Sequence, residues 1–292
     1  MRQGLHDGDI ILSSPDSLYG PWGTSAQMQV ETCNGKQKTL DVRREVYGWS
    51  FERPSVRWQI LRPSPTVKIG YMRIQHFEDD FAPIVDQAMG ELNDTSALII
   101  DLRNNTRGNA SYIRLSRYLT PEPHMAFALL SRPHLNQFGR ASEKMDEKMI
   151  YHLPKVTGAY TSKRIIDAFR KNGGGAAFYT EDLGSHAYHG KFVVLVNQET
   201  ASAAEGFVAN LEGKANVTII GQPTAGAVVG AERFPIPGVW TVIGPTHASW
   251  LPEGTIYRDE RSVPDILIPL SRKDLCHGKD AVLSKGLELL LP

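Results

Sequence analysis

Two periodicities alternate along this chain. Apolar residues at every second position, or short unbroken apolar runs, read as strands over 9–12, 38–46, 67–74, 97–102 and 191–196. Further strands are expected at 217–220, 239–244 and 266–269. Helical spacing takes over at 79–92, where Phe81, Ile84, Val85, Ala88, Met89 and Leu92 fall on one face. The stretches 111–119, 162–171 and 201–211 read as helices too, and 281–291 as a closing one. Strand, helix and strand in this order imply an α/β core.

The pattern weakens in two places. Residues 47–66 carry Trp49, Pro54, Trp58, Pro63 and Pro65, a composition suited to a linker. Residues 120–190 mix prolines, scattered charge and Gly173-Gly174-Gly175, and are expected to form a lid over a site.

Composition narrows the function classes. Hydrophobic content of 41% and charged content of 22% in 292 residues are those of a well-cored globular chain. Lys plus Arg is 32 and Asp plus Glu is 32, so no basic excess points to a nucleic-acid partner. No apolar run approaches the roughly 18 residues of a membrane span. The first twenty residues show no export-signal pattern. Cys33 and Cys276 form no CxxC pair, which excludes a thiolate cluster; a single long-range bridge between them is open but not the favoured reading. No HExxH or comparable ligand spacing occurs, and neither a metal nor another cofactor is expected.

The most informative segment is Phe192–Phe207, where a buried strand runs through Asn197-Gln198-Glu199-Thr200 into Ala201-Ser202-Ala203-Ala204-Glu205. A serine at such a junction lies near a helix N-terminus, whose free N–H groups favour an anion. Its alanine neighbours leave room for a carbonyl to approach the hydroxyl. Spacing alone favours a plainer reading, in which Thr200 or Ser202 caps the helix and Glu205 completes a capping box. The GxSxG elbow is absent.

This segment resembles the nucleophile region of the tail-specific (carboxyl-terminal processing) serine peptidases, a family that includes the tricorn core and the retinoid-binding repeats. Five further stretches resemble the family in order. Gly4–Leu12 is similar to the later part of a PDZ module and Gly70–Ile74 to the strand opening the catalytic domain. Leu98–Asn105 is similar to the "IDLR-N" loop, and Ile219–Gly226 with Val263–Ile266 to the later signatures. The resemblance implies an α/β fold: a partial PDZ-like module over 1–46, a linker over 47–66, and a crotonase-like spiral of ββα units over 67–292. Because module-like sequence begins almost at Met1, a truncated start is expected.

The resemblance also assigns roles. Many members pair the serine with a lysine, but Ala227 stands at that position and no lysine occurs between Lys214 and Lys273. The tricorn-like branch uses serine, histidine and glutamate instead, which places Glu260 as the orienting carboxylate and Asp259 as its alternate. The histidine of that branch lies upstream of the PDZ module; within this chain His76 is the first candidate, with His247, His186 and His189 behind it. Oxyanion donors would be the N–H groups of Ala203 and Gly108. Arg107 replaces one of the family's paired glycines.

The expected function is therefore hydrolysis of polypeptides through an acyl-enzyme on Ser202. The alternative is a catalytically silent member that holds peptides or hydrophobic ligands. An acyl-CoA enzyme on the same spiral is a third class, opposed by the PDZ-like start and the Ser202 segment. Relatives are often exported; compartment and oligomeric state stay open.

Overall fold

The computed structural model describes residues 5–44, 54–120, 122–136, 147–228, 230–238, 240–252, 254, 256–257 and 261–291. The chain divides into two compact units, Met1–Glu52 with Ile268–Lys285, and Arg53–Leu267 with Gly286–Pro292.

The smaller unit is an antiparallel meander of β1 (Ile10–Ile11), β2 (Ser25–Glu31) and β3 (Gln37–Arg43). Strand β2 alternates cleanly, burying Ala26, Met28 and Val30 and exposing the residues between them. Cys33 and Cys276 are joined by a disulfide, so the disfavoured reading is the observed one. Spacing could not show it, because the partner lies in a distant segment that returns to this unit. Arg272 reinforces the staple: Nε donates to Gly8 O at 3.0 Å, Nη1 to Glu31 Oε1 at 2.8 Å and Nη2 to Thr32 O at 3.0 Å.

The larger unit contains β4 (Val56–Leu61), β5 (Ile69–Ile74), β6 (Ala97–Asp101), β7 (Met125–Ser131), β8 (Lys155–Val156) and β9 (Gly175–Tyr179). It continues through β10 (Lys191–Val196), β11 (Val217–Gly221), β12 (Gly230–Ile236), β13 (Trp240–Trp250), β14 (Ile256–Tyr257) and β15 (Ile266–Leu267). Its helices are α1 (Phe81–Leu92), α2 (Ile113–Leu119), α3 (Arg132–Asn136), α4 (Glu147–Tyr151), α5 (Ser162–Lys171) and α6 (Ala203–Leu211).

The first sheet has the order β15-β11-β10-β6-β5-β4, parallel throughout except for β4. Strands β6 and β10 are buried almost end to end, as their continuous apolar runs require of a parallel sheet covered on both faces. Helix α1 buries Phe81, Val85, Ala88, Met89 and Leu92 against the sheet. Apart from Ala88, each such side chain contributes roughly 1.5–3 kcal/mol relative to exposure.

The second sheet has the order β12-β13-β7-β9-β8, with β14 on β13. One face joins Phe127, Leu129 and Phe178 to the main core; the other holds Trp250, Leu130 and Met125 in a smaller cluster. Two expectations meet this architecture. The range 47–66 contains β4, whose six residues pair with β5. The range 120–190 contains β7, β8, β9 and three helices, so it builds a wall of the core rather than only a cover.

Candidate active site

The carboxyl ends of parallel strands are where an α/β sheet leaves an open crevice, and here the loops after β6 and β10 meet. Asn104 and Asn197 form a reciprocal pair: Asn104 N–H donates to Asn197 Oδ1 at 3.0 Å, and Asn197 Nδ2 to Asn104 Oδ1 at 2.7 Å. Asn104 sits at φ 63, a conformation asparagine tolerates. Thr200 Oγ1 donates to Leu102 O at 3.1 Å, and Ala201 N–H to Asn105 O at 2.8 Å. Below them, buried Asp101 accepts from Tyr71 Oη at 2.7 Å and from Arg103 Nε and Nη2 at 2.9 and 2.7 Å. Burial, and then the Asp101 charge, push the Tyr71 phenol up to about 12, so this network keeps its protons at neutral pH.

Ser202 is the N-cap of α6 and holds φ 57, ψ −121. That is a costly conformation for a residue with a Cβ, of order 1–3 kcal/mol, and such strain concentrates at functional sites. It is a sharp strand-to-helix turn without the glycines that usually mark one.

Glu205, fully buried, fixes the turn from below. Oε2 accepts from Ser202 N–H at 3.1 Å and Ala227 N–H at 2.9 Å, while Oε1 accepts from Thr224 Oγ1 at 2.6 Å and Gly226 N–H at 2.7 Å. The carboxylate therefore ties the serine turn to Thr224–Ala227, the segment where a lysine would stand in the dyad branch.

A cavity of about 610 Å³ opens beside Ser202. Ser202, Ala203 and Gly108 all line it, together with apolar residues that include Tyr112, Phe127, Leu129 and Ile165. Among the described residues, no acceptor lies on the N–H of Gly108 or of Ala203. Gly108 is held at φ 145, bridged to Phe77; a Cβ there would stand 2.5 Å from Phe77 O, so only glycine fits.

The histidines separate. His76 does not line the cavity; its Nδ1 accepts from Arg107 Nε at 3.4 Å, and Arg107 Nη2 pairs with Glu78 at 3.3 Å. Burial, then Arg107, hold His76 below its ordinary pKa, against a smaller opposing pull from Glu78. His247 does line the cavity, its ring 5.4 Å from that of Phe169 and its Nδ1 3.0 Å from Thr246 Oγ1. His186 and His189 are exposed and away from it. Asp259 and Glu260 lie outside the described residues.

These features are those of a hydrolase-type α/β arrangement: a strained serine at a strand-to-helix turn, beside a cavity with two N–H donors that have no acceptor among the described residues. The sequence places the chain more narrowly. The model of peptidase family S41 matches residues 68–268, and the chain belongs to that family of serine peptidases.

Solved structures agree on the fold at low identity. Mature CPAF complexed with lactacystin is 15% identical, with TM-score 0.59, over 93% of this chain and 67% of that one. A putative peptidase from Parabacteroides merdae is 16% identical, with TM-score 0.57, over 82% and 65%. The photosystem II D1 C-terminal processing protease is 18% identical, with TM-score 0.54, over 95% and 69%. This chain thus spans about two thirds of their lengths.

Proposed function

We propose that this chain hydrolyses peptide bonds in polypeptides through an acyl-enzyme on Ser202. One observation carries the reading: a strained serine shares a cavity with two backbone N–H groups that have no acceptor among the described residues. Ser202 Oγ attacks the substrate carbonyl carbon and passes its proton to a histidine. The negative charge that develops on the carbonyl oxygen is met by Ala203 and Gly108 N–H. The histidine then protonates the leaving amine, and water hydrolyses the acyl ester by the reverse sequence.

In this reading His76 is the base and Glu260 the carboxylate that stabilises its imidazolium. His76 does not line the cavity, so in this reading its ring must turn toward Ser202 and its Nδ1 must leave Arg107, because a lone pair engaged by the Arg107 N–H is not free to take the serine proton. No lysine replaces it: the N–H of Ala227 is bound to Glu205 and its methyl side chain has no base to offer. The organisation that accompanies the reading is a partial PDZ-like module over 1–46, joined by the returning segment 268–285, and a crotonase-like domain over the rest, to which β4 within 47–66 adds an edge strand, with a lid within 120–190. A module of that kind would take a substrate by strand addition.

A second reading is favoured by the Arg107–His76 bond itself, which uses the lone pair that catalysis needs. There the apolar cavity holds a peptide or hydrophobic ligand without cleaving it. Fluorophosphonate treatment followed by peptide mass spectrometry separates the two. An adduct on Ser202, absent from Ser202→Ala, supports the peptidase; a folded chain that stays unlabelled overturns it.

A further inference from the structure

Asp79 lies just before α1 and is exposed, yet its Oδ1 accepts three hydrogen bonds from two distant segments. Asn109 Nδ2 donates at 2.5 Å, Ser162 N–H at 2.7 Å and Ser162 Oγ at 3.0 Å. Asn109 Nδ2 also donates to Ser162 Oγ at 3.0 Å. Every proton in this triangle has one address: the amide divides its two between carboxylate and hydroxyl, and the hydroxyl gives its own to the carboxylate. Asn109 is otherwise fully used, with Oδ1 accepting from Ser111 N–H at 2.8 Å and its N–H donating to Phe77 O at 2.8 Å.

The two segments that meet at Asp79 have different tasks. Asn109 follows Gly108, so anchoring it constrains the loop that carries the Gly108 N–H. Ser162 is the first residue of α5, which walls the cavity through Ser162, Ile165 and Ile166. The carboxylate also supplies the negative charge that the N-terminus of α5 favours.

We infer that Asp79 is a positioning residue for catalysis at Ser202, holding the oxyanion-side strand and the cavity-wall helix in one register. The inference rests on the peptidase reading. It assigns Asp79 no contact with substrate; the carboxylate acts through Asn109 and Ser162. Asparagine at this position keeps an Oδ1 acceptor and loses only the charge, whereas alanine leaves three donors without their acceptor.

The test compares parent, Asp79→Ala and Asp79→Asn by the maximal rate of fluorophosphonate labelling at Ser202. Amide hydrogen exchange over 108–112 and 162–166 is followed alongside. The expected result is a maximal rate about tenfold lower in Asp79→Ala, since small misplacements of catalytic groups are costly. Asp79→Asn should stay within about twofold of the parent, and exchange should rise in both segments of Asp79→Ala while β6 and β10 stay protected. Parent-like labelling in a folded Asp79→Ala overturns the inference, as does an Asp79→Asn variant equally slow. If the parent itself takes no label, the peptidase reading fails, and exchange alone decides whether Asp79 holds the junction; unchanged exchange then overturns it.

Discussion

The cavity has two walls built on different principles. The Ser202 side is made of loops, and its precision comes from hydrogen bonds: the Asn104–Asn197 pair, the four donors on Glu205 and the Phe77–Gly108 bridge. The other part of the lining is regular structure, in which Phe127, Leu129 and Ile165 are placed by burial in the main core. Directional bonds fix single atoms to within tenths of an ångström, which a reacting oxygen and its donors need. Packing fixes volumes, which is enough to hold a side chain. The same cavity thus separates chemistry from fit, and substitutions on its two sides should fail in different ways.

The sharpest break is Ser202→Ala. Loss of the attacking oxygen is expected to lower turnover of a peptide substrate at least about 10³-fold, with stability lower by about 1 kcal/mol, because the Ser202 side chain closes a capping box with the Glu205 N–H at the start of α6. Residual turnover near the parental rate would show that another residue is the nucleophile. Next comes Gly108→Ala. The added methyl would stand 2.5–2.7 Å from Phe77 O, Cβ and N, so the loop must shift and its N–H with it. A loss of about 10² in labelling rate is expected, the scale of removing one oxyanion donor. A rate unchanged in the folded variant would remove Gly108 from the hole.

On the packed wall, Ile165→Val deletes one methylene from a nearly buried side chain. It should lower stability by about 1 kcal/mol and change the apparent affinity for apolar peptides while leaving the maximal labelling rate alone. If that rate falls instead, the division between the two walls is wrong, and packing reaches the reacting atoms.

The two walls also differ in how far the sequence displays them. Strands β6 and β10 and helix α6 stand out as apolar runs ending in polar loops, and the serine junction with them. Strands β7 and β9 do not, because Met125–Ser131 and Gly175–Tyr179 are rich in alanine, a weak strand former, and sit among prolines and glycines. Only pairing across the sheet makes them strands. Strand β4 is similarly hidden between prolines, with Trp58 read as linker composition. The Ser202 strain has no glycine to announce it. The Asp79 junction joins residues dozens of positions apart, and neither an aspartate before a helix nor an asparagine after a loop distinguishes itself in isolation.

The smallest expected effect on stability concerns two histidines outside the cavity lining, His76 and His124. His76 beside the Arg107 loop and His124 at the start of β7 are both held below the ordinary value of 6.5, in each case chiefly by burial. Arg107 adds to the depression at His76 and Glu78 opposes it; Glu122 O opposes it at His124, while Lys214 adds to it. Since each ring binds its proton more weakly folded than unfolded, the unfolded chain takes up more protons as pH falls. Stability should therefore be complete above about 6.5 and decline below it. Denaturant melts from pH 8 to 5 on the parent, His76→Asn and His124→Asn measure each share. Both substitutions should flatten the decline, His124→Asn the more, because its ring is the more desolvated. The labelling rate separates them further. If His76 is the base, the parent's rate falls with pH through the His76 titration, and His76→Asn abolishes labelling where His124→Asn only shifts stability. A His76→Asn chain that labels at the parental rate would leave the Arg107–His76 bond as loop structure, and the packed wall, through His247, would then hold the one histidine of the cavity among the described residues.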